Sequence, residues 1–221
     1  MAWTEFVAAY AVFFLSHAIP VRPPVRTWLT ARLGRRGFTL AYSALSLAVL
    51  VWLIGAAGRA PYVPLWDWVP WQTHVPLAVM GPVCLILGLS IARPNPFSFG
   101  GAHNERFDAA RPGIVHWTRH PLLVALALWS GAHIVPNGAL AHVILFGSFA
   151  AFAALGGRVI DRRKQREMGA DWHRLRRAVA TAPLFSPCLS LGVARRVLAG
   201  LALYGALLWL HPYLFGVSPL P

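Results

Sequence analysis

The 221-residue sequence predicts an all-α fold, a polytopic membrane helix bundle of about six transmembrane spans in one domain covering residues 1–221. Three observations carry that expectation. Apolar residues make up 57% of the chain and charged residues only 12%, with a mean hydropathy of +0.55, outside the habits of water-soluble domains. Six apolar runs, roughly 2–19, 39–57, 75–92, 121–135, 139–156 and 197–215, have spanning or near-spanning length. Finally, nineteen of the 20 basic residues fall in alternate connections, leaving only Arg59 on the other side. The positive-inside rule then puts both termini outside, which in a bacterial inner membrane means the periplasm. The formal charge of +13 is thus a topology signal and an attraction for anionic lipid. A nucleic-acid footprint would need groove-reading context on a soluble face, and none is present.

Each element has a local reason. The first run has no basic n-region and no small-residue cleavage site, so it reads as a retained span. It closes at Ile19-Pro20, and Pro23-Pro24 bar helical continuation. Gly34 to Gly37, with Arg35 and Arg36, punctuate the inner turn before the second span. The outer loop 59–74 is rich in Trp and Pro, as expected of an aromatic belt at the interface. Gly81-Pro82 in the third span is a kink candidate that neighbouring helices can tolerate. The loop 93–119 is long, polar and rich in Pro and Gly, with no clear element. At its end, His120 precedes Pro121. A residue before proline is pushed away from helix, while proline suits the first helical position, so His120 is the expected N-cap of the fourth span. After the fifth span, residues 161–180 can form helix on both sides of Gly169. Met168, Trp172, Leu175 and Val179 make a narrow apolar stripe there, suited to the membrane surface. Cys84 reads as a small buried hydrophobe in the third span. Cys188 falls in the last inner segment, too far off for a disulfide.

Chemistry must come from histidine, arginine and tryptophan, because carboxylates number only seven. That scarcity disfavours carboxylate acid/base pairs and di-iron sites. An ionisable side chain in hydrocarbon has to be paired or coordinated, so His17, His74, His133 and His142, within or at the edges of spans, are candidates for structure, ligation or proton transfer. Arg119 and His120 stand where the free amides and positive end of a helix meet, a ready site for an anion such as a cofactor carboxylate. His133 lies about 20 Å further along that helix and on nearly the opposite face.

The run 113–147, GIVHWTRHPLLVALALWSGAHIVPNGALAHVILFG, with Gly156 and Asp161-Arg162-Arg163 after it, closely resembles the NnrU family of integral membrane proteins. SHAIPVRPPVR, residues 16–26, looks like that family's first-span ending. The resemblance covers essentially the whole chain. It implies a link to nitrite and nitric oxide respiration and a relationship to 15-cis-ζ-carotene isomerase, a membrane protein that uses haem b. The resemblance implies that His17 and His133 match the isomerase's haem-ligating histidines and that His120 matches its RHP histidine. The isomerase has a His-Ser-Gly sequence where this chain has HAIP. The span assignment sets His17 and His120 at one depth and His133 at the other, so His17 pairs with His133 or with His120. Arg119 would then meet a propionate. A fainter resemblance to isoprenylcysteine and phospholipid methyltransferases implies S-adenosylmethionine as an alternative cofactor, with Asp161 or Glu167 as the key carboxylate. A non-enzymatic partner of respiratory nitrogen-oxide enzymes is the third reading. Membrane lipids and a lipid-soluble substrate are the expected partners.

Overall fold

The computed structural model describes residues 2–183 and 190–220. Cys188 lies outside them. The described residues form helices and their connections, with no strand among them: α1 (Ala2–Ala18), α2 (Pro23–Arg59), α3 (His74–Ser90), α4 (Ile114–Trp117), α5 (Pro121–Ile134), α6 (Leu140–Met168), α7 (Ala170–Thr181) and α8 (Leu191–Phe215). All six expected apolar runs are helical. Four helical stretches are long and apolar enough to cross a membrane: Pro23–Arg59, Pro70–Ser90, Leu140–Met168 and Leu191–Phe215. No more than 22% of any of their apolar windows is buried, so the apolar surface turned outward suits lipid. The first and fourth expected spans are shorter, at 17 and 14 residues. The latter is about 21 Å of helix against a hydrocarbon core of about 30 Å.

By contacts the chain divides into two compact units, Met1–Asp67 with Gly138–Leu145, and Trp68–Asn137 with Phe146–Pro221. In the first unit α1 packs on α2. Phe6 and Ala9 on one helix, and Val49, Leu53, Ala56 and Ala57 on the other, are the buried residues, each set at helical spacing. Pro23-Pro24 end no more than the preceding helix, because prolines at the first helical positions cost no hydrogen bond. Helix therefore begins earlier than the expected second span. It is broken at Gly34, whose φ of 69° only glycine adopts freely. Arg59 meets Glu5 at 2.5 Å, and Trp52 Nε1 donates to the same carboxylate at 3.2 Å. The loop after α2 is pinned where Leu65 N donates to Gly138 O and Leu140 N to Val63 O.

In the second unit α3 packs on both α5 and α8. The α3–α8 crossing is made by glycine. A Cβ on Gly200 would stand 2.7 Å from Cys84 O, and one on Gly88 would stand 2.5 Å from Arg196 O. Small residues let membrane helices approach this closely. Arg196 then donates to Ile91 O at 2.8 Å, a carbonyl open at the end of α3, and Tyr204 donates to Leu77 O at 2.8 Å.

Two expectations need correcting here. The segment 93–119 is ordered, with a 3-10 turn at Asn104–Arg106 and the short α4. Asparagine side chains organise it: Asn104 Oδ1 accepts from Asn95 N, and Asn95 Oδ1 accepts from Phe97 N. The helix does divide at Gly169, which has a φ of 57°. Its apolar stripe, however, faces protein. Trp172 and Val179 are buried with Phe97 and Val115, and Met168 and Leu175 pack around them. Burying a Trp side chain against a structured loop removes more apolar surface than a grazing membrane contact does.

Candidate functional site

The polar centre of the second unit is the cap of α5. His120 has φ −120° and ψ 61°, outside the helical region, and Pro121 opens the helix. Its backbone N–H donates to Thr118 Oγ1 at 3.2 Å. The ring comes to rest on α6 because Gly157 offers no side chain there. A Cβ at Gly157 would be 3.2 Å from His120 Cδ2. Four residues on, and so on the same helix face, Asp161 Oδ1 lies 3.0 Å from His120 Nε2. The other ring nitrogen, Nδ1, is 3.0 Å from the buried Ser98 hydroxyl. One arrangement satisfies every group. Nε2–H donates to Asp161, and the Ser98 hydroxyl donates to Nδ1. Burial pushes the imidazole pKa down. Asp161 pulls it up and Arg119 adds a smaller downward push, and burial wins, so His120 stays neutral below the usual histidine range.

Arg119 completes the group. Its Nη2 donates to Asp161 Oδ2 at 2.7 Å and its Nε approaches Oδ1 at 3.4 Å. Its carbonyl accepts from Asn95 Nδ2 at 2.9 Å. The guanidinium stands 5.9 Å from the Trp172 ring centre, and that of Arg176 stands 5.3 Å from the same ring, within cation–π range. The expected anion site at Arg119 and His120 is thus furnished with the protein's own anion, Asp161. Neither ring nitrogen of His120 keeps a free lone pair in this tautomer. The arrangement can orient the cap, hold a proton on Nε2 and leave the outer edge of Arg119 open.

The other histidines stand apart from it. His17, near the end of α1, has Nδ1 2.7 Å from Phe13 O, and His133, near the end of α5, has Nδ1 2.7 Å from Trp129 O. In both, the acceptor is the carbonyl four residues back, so Nδ1 carries the proton and Nε2 keeps its lone pair. Neither Nε2 has a hydrogen-bond partner among the described residues. Aromatic rings surround both: Phe13 at 4.2 Å and Tyr42 at 6.0 Å from His17, Trp129 at 5.4 Å and Phe146 at 5.5 Å from His133. His74 is exposed at the start of α3, and His142 is half-buried in α6. Among the described residues no three His, Cys, Asp or Glu side chains cluster as a metal site would require. Of the two carboxylates considered for methyl transfer, Asp161 pairs with Arg119 and His120. Glu167 pairs with Arg163 and Lys164 on its own helix.

Ser98, Asn95 and Gly157 belong to the site and were not legible as such. The Gly157-to-Asp161 spacing is the one signal that pointed there, since a bare helix position four residues before a carboxylate makes room for a ring. The chain matches the family model described as NnrU protein over residues 5–219. No curated protein and no solved structure matches it.

Proposed function

We propose, from the premise that this chain belongs to the NnrU family, that it is a haem-b-binding membrane protein. It would act in a redox-linked or isomerase-type reaction on a lipid-soluble, carotenoid-like substrate or within nitrogen-oxide respiration. The observation that carries this reading is the shared tautomer of His17 and His133. Each imidazole spends its Nδ1–H on a backbone carbonyl at 2.7 Å and leaves Nε2 as a lone-pair donor. Histidines that ligate metals are oriented this way, by a hydrogen bond from the second ring nitrogen that fixes the tautomer and raises the basicity of the first. Each imidazole, taken by itself, therefore fits a haem ligand.

His120 does not fit that role, because Ser98 and Asp161 occupy both of its nitrogens. The reading therefore rests on His17 and His133, each through its own free Nε2. Bound haem would supply one-electron chemistry, at a potential tuned by the hydrogen bonds on the imidazoles that would hold it. The chain's own contribution is to hold the two imidazoles in one tautomer. Around His133 the Trp129 and Phe146 rings also keep the surroundings apolar.

The test is an absorbance spectrum of the detergent-purified, full-length protein supplied with haemin. The expected result is a Soret band of low-spin, two-histidine type, lost or shifted in His17→Ala and in His133→Ala. It should be retained in His142→Ala and His120→Ala. Folded protein that stays colourless with haemin, or a Soret band indifferent to both ligand substitutions, overturns the proposal.

A further inference from the structure

Where α4 and α7 meet, beside Arg119, the second unit opens a cleft of about 210 Å³. One wall is apolar, formed by Phe97, Val115 and Val179 from the buried cluster. The other wall carries His116, Arg119 and Arg176. Two features of that wall are unmatched. Arg176 has no carboxylate within ion-pair distance among the described residues. Its nearest recorded partner is the Trp172 ring face, while Asp171 is taken by Arg174 and Asp161 by Arg119 and His120. The His116 Nδ1 atom is buried without a hydrogen-bond partner, although buried polar atoms are nearly always paired. A cleft with two guanidinium groups and an apolar lining calls for an anion joined to an apolar body.

We propose that this cleft binds the phosphate of an anionic phospholipid headgroup. Arg176 is its main ligand, and Arg119 contributes the edge that Asp161 leaves free. Three observations favour a lipid over a free anion. The cleft includes Thr118 and Arg119, just before the first residues of the apolar α5. Trp117, which also lines it, is 68% exposed, as interface tryptophans are. The surrounding inner segments hold most of the chain's basic residues, which concentrates anionic lipid. This site is separate from the proposed haem ligands, and its fate is independent of theirs.

The test is calorimetric titration of the full-length protein in a neutral detergent. The probes are dihexanoyl-phosphatidylglycerol, dihexanoyl-phosphatidylcholine and inorganic phosphate. Phosphatidylglycerol is expected to bind saturably and more tightly than the other two. Arg176→Gln should weaken it by about tenfold or more, the size of one charge-assisted hydrogen bond. Arg176 is exposed, so this variant keeps the fold. Arg36→Gln, an equal loss of charge on α2, should leave the affinity unchanged. Equal affinity for phosphatidylcholine, or indifference to Arg176→Gln, overturns the site. Inorganic phosphate binding as tightly as the lipid overturns the lipid assignment and leaves a phosphate site.

Discussion

Asp161 holds the cap of α5 against α6, and a graded series at this position measures how much. In Asp161→Asn the side-chain oxygen can still accept from His120 Nε2, but the charge that Arg119 meets at 2.7 Å is gone. A hydrogen bond to a charged group contributes about 1.5–3 kcal/mol. The Arg119 side chain is 33% exposed against 18% for Asp161, so solvent screening reduces that to about 1–2 kcal/mol. Asp161→Ala also strands the buried His120 N–H, which adds about 1–3 kcal/mol and brings the total to about 2–5 kcal/mol. For a chain of this size 1 kcal/mol moves the melting temperature by about 2–4 °C. At about 3 °C per kcal/mol the expected losses are about 3–6 °C for Asn and about 6–15 °C for Ala, read by fluorescence-monitored melting in detergent. Arg119→Ala should add almost nothing in the Asn background, a coupling of about 1–2 kcal/mol in a double-mutant cycle. Equal melting of wild type and both Asp161 variants, or strict additivity with Arg119→Ala, would refute the role assigned to this carboxylate.

Two further tests use contrasts within the same molecule. Gly200→Ala places a Cβ against the α3 backbone at 2.7 Å, whereas Gly205 on the same helix has open space around it. Overpacking should cost about 1–3 kcal/mol in the first, while Gly205→Ala should be neutral or gain about 0.5–1 kcal/mol from reduced backbone entropy. Thermal melting of the pair checks this, and equal effects would sink the close-crossing account. The depressed pKa of His120 predicts a pH dependence. The unfolded chain takes up a proton at about pH 6.5 and the folded one only below that. The stability contribution is therefore complete above about pH 6.5 and is lost as pH falls through the folded value. Wild-type melting should drop more between pH 7.5 and pH 5 than that of His120→Gln, and parallel curves would count against a buried neutral ring.

The local features of this chain were legible where backbone chemistry or hydropathy dictates them. Helix breaks at Gly34 and Gly169 follow from a conformation that glycine reaches without strain, and the His120 cap follows from the proline after it. The apolar runs follow from the cost of placing charge in hydrocarbon. The stripe of Met168, Trp172, Leu175 and Val179 was legible as a stripe, but its partner was not. Amphipathic periodicity says that a face will be buried and not against what, and here the ordered segment 93–119 supplies the cover.

The cap shows the same division. Arg119 and His120 were readable as a pair awaiting a negative charge, because a helix start with a cation beside it attracts one. Which anion arrives is a matter of distance through space. Asp161 lies 41 and 42 residues away in sequence from these partners, and only the packing of α5 on the bare surface of Gly157 brings it within 3 Å. The tautomers of His17 and His133 lie between these cases. A histidine four residues after a free carbonyl in a helix can always make that bond, yet whether its rotamer does so depends on the rings packed around it. Composition and local sterics thus determined the helices, their ends and the membrane class of this NnrU-family chain. Tertiary contact decided which polar groups are already satisfied and which keep a lone pair or a charge to offer, because pairing falls off within a few ångströms and sequence spacing does not set that distance.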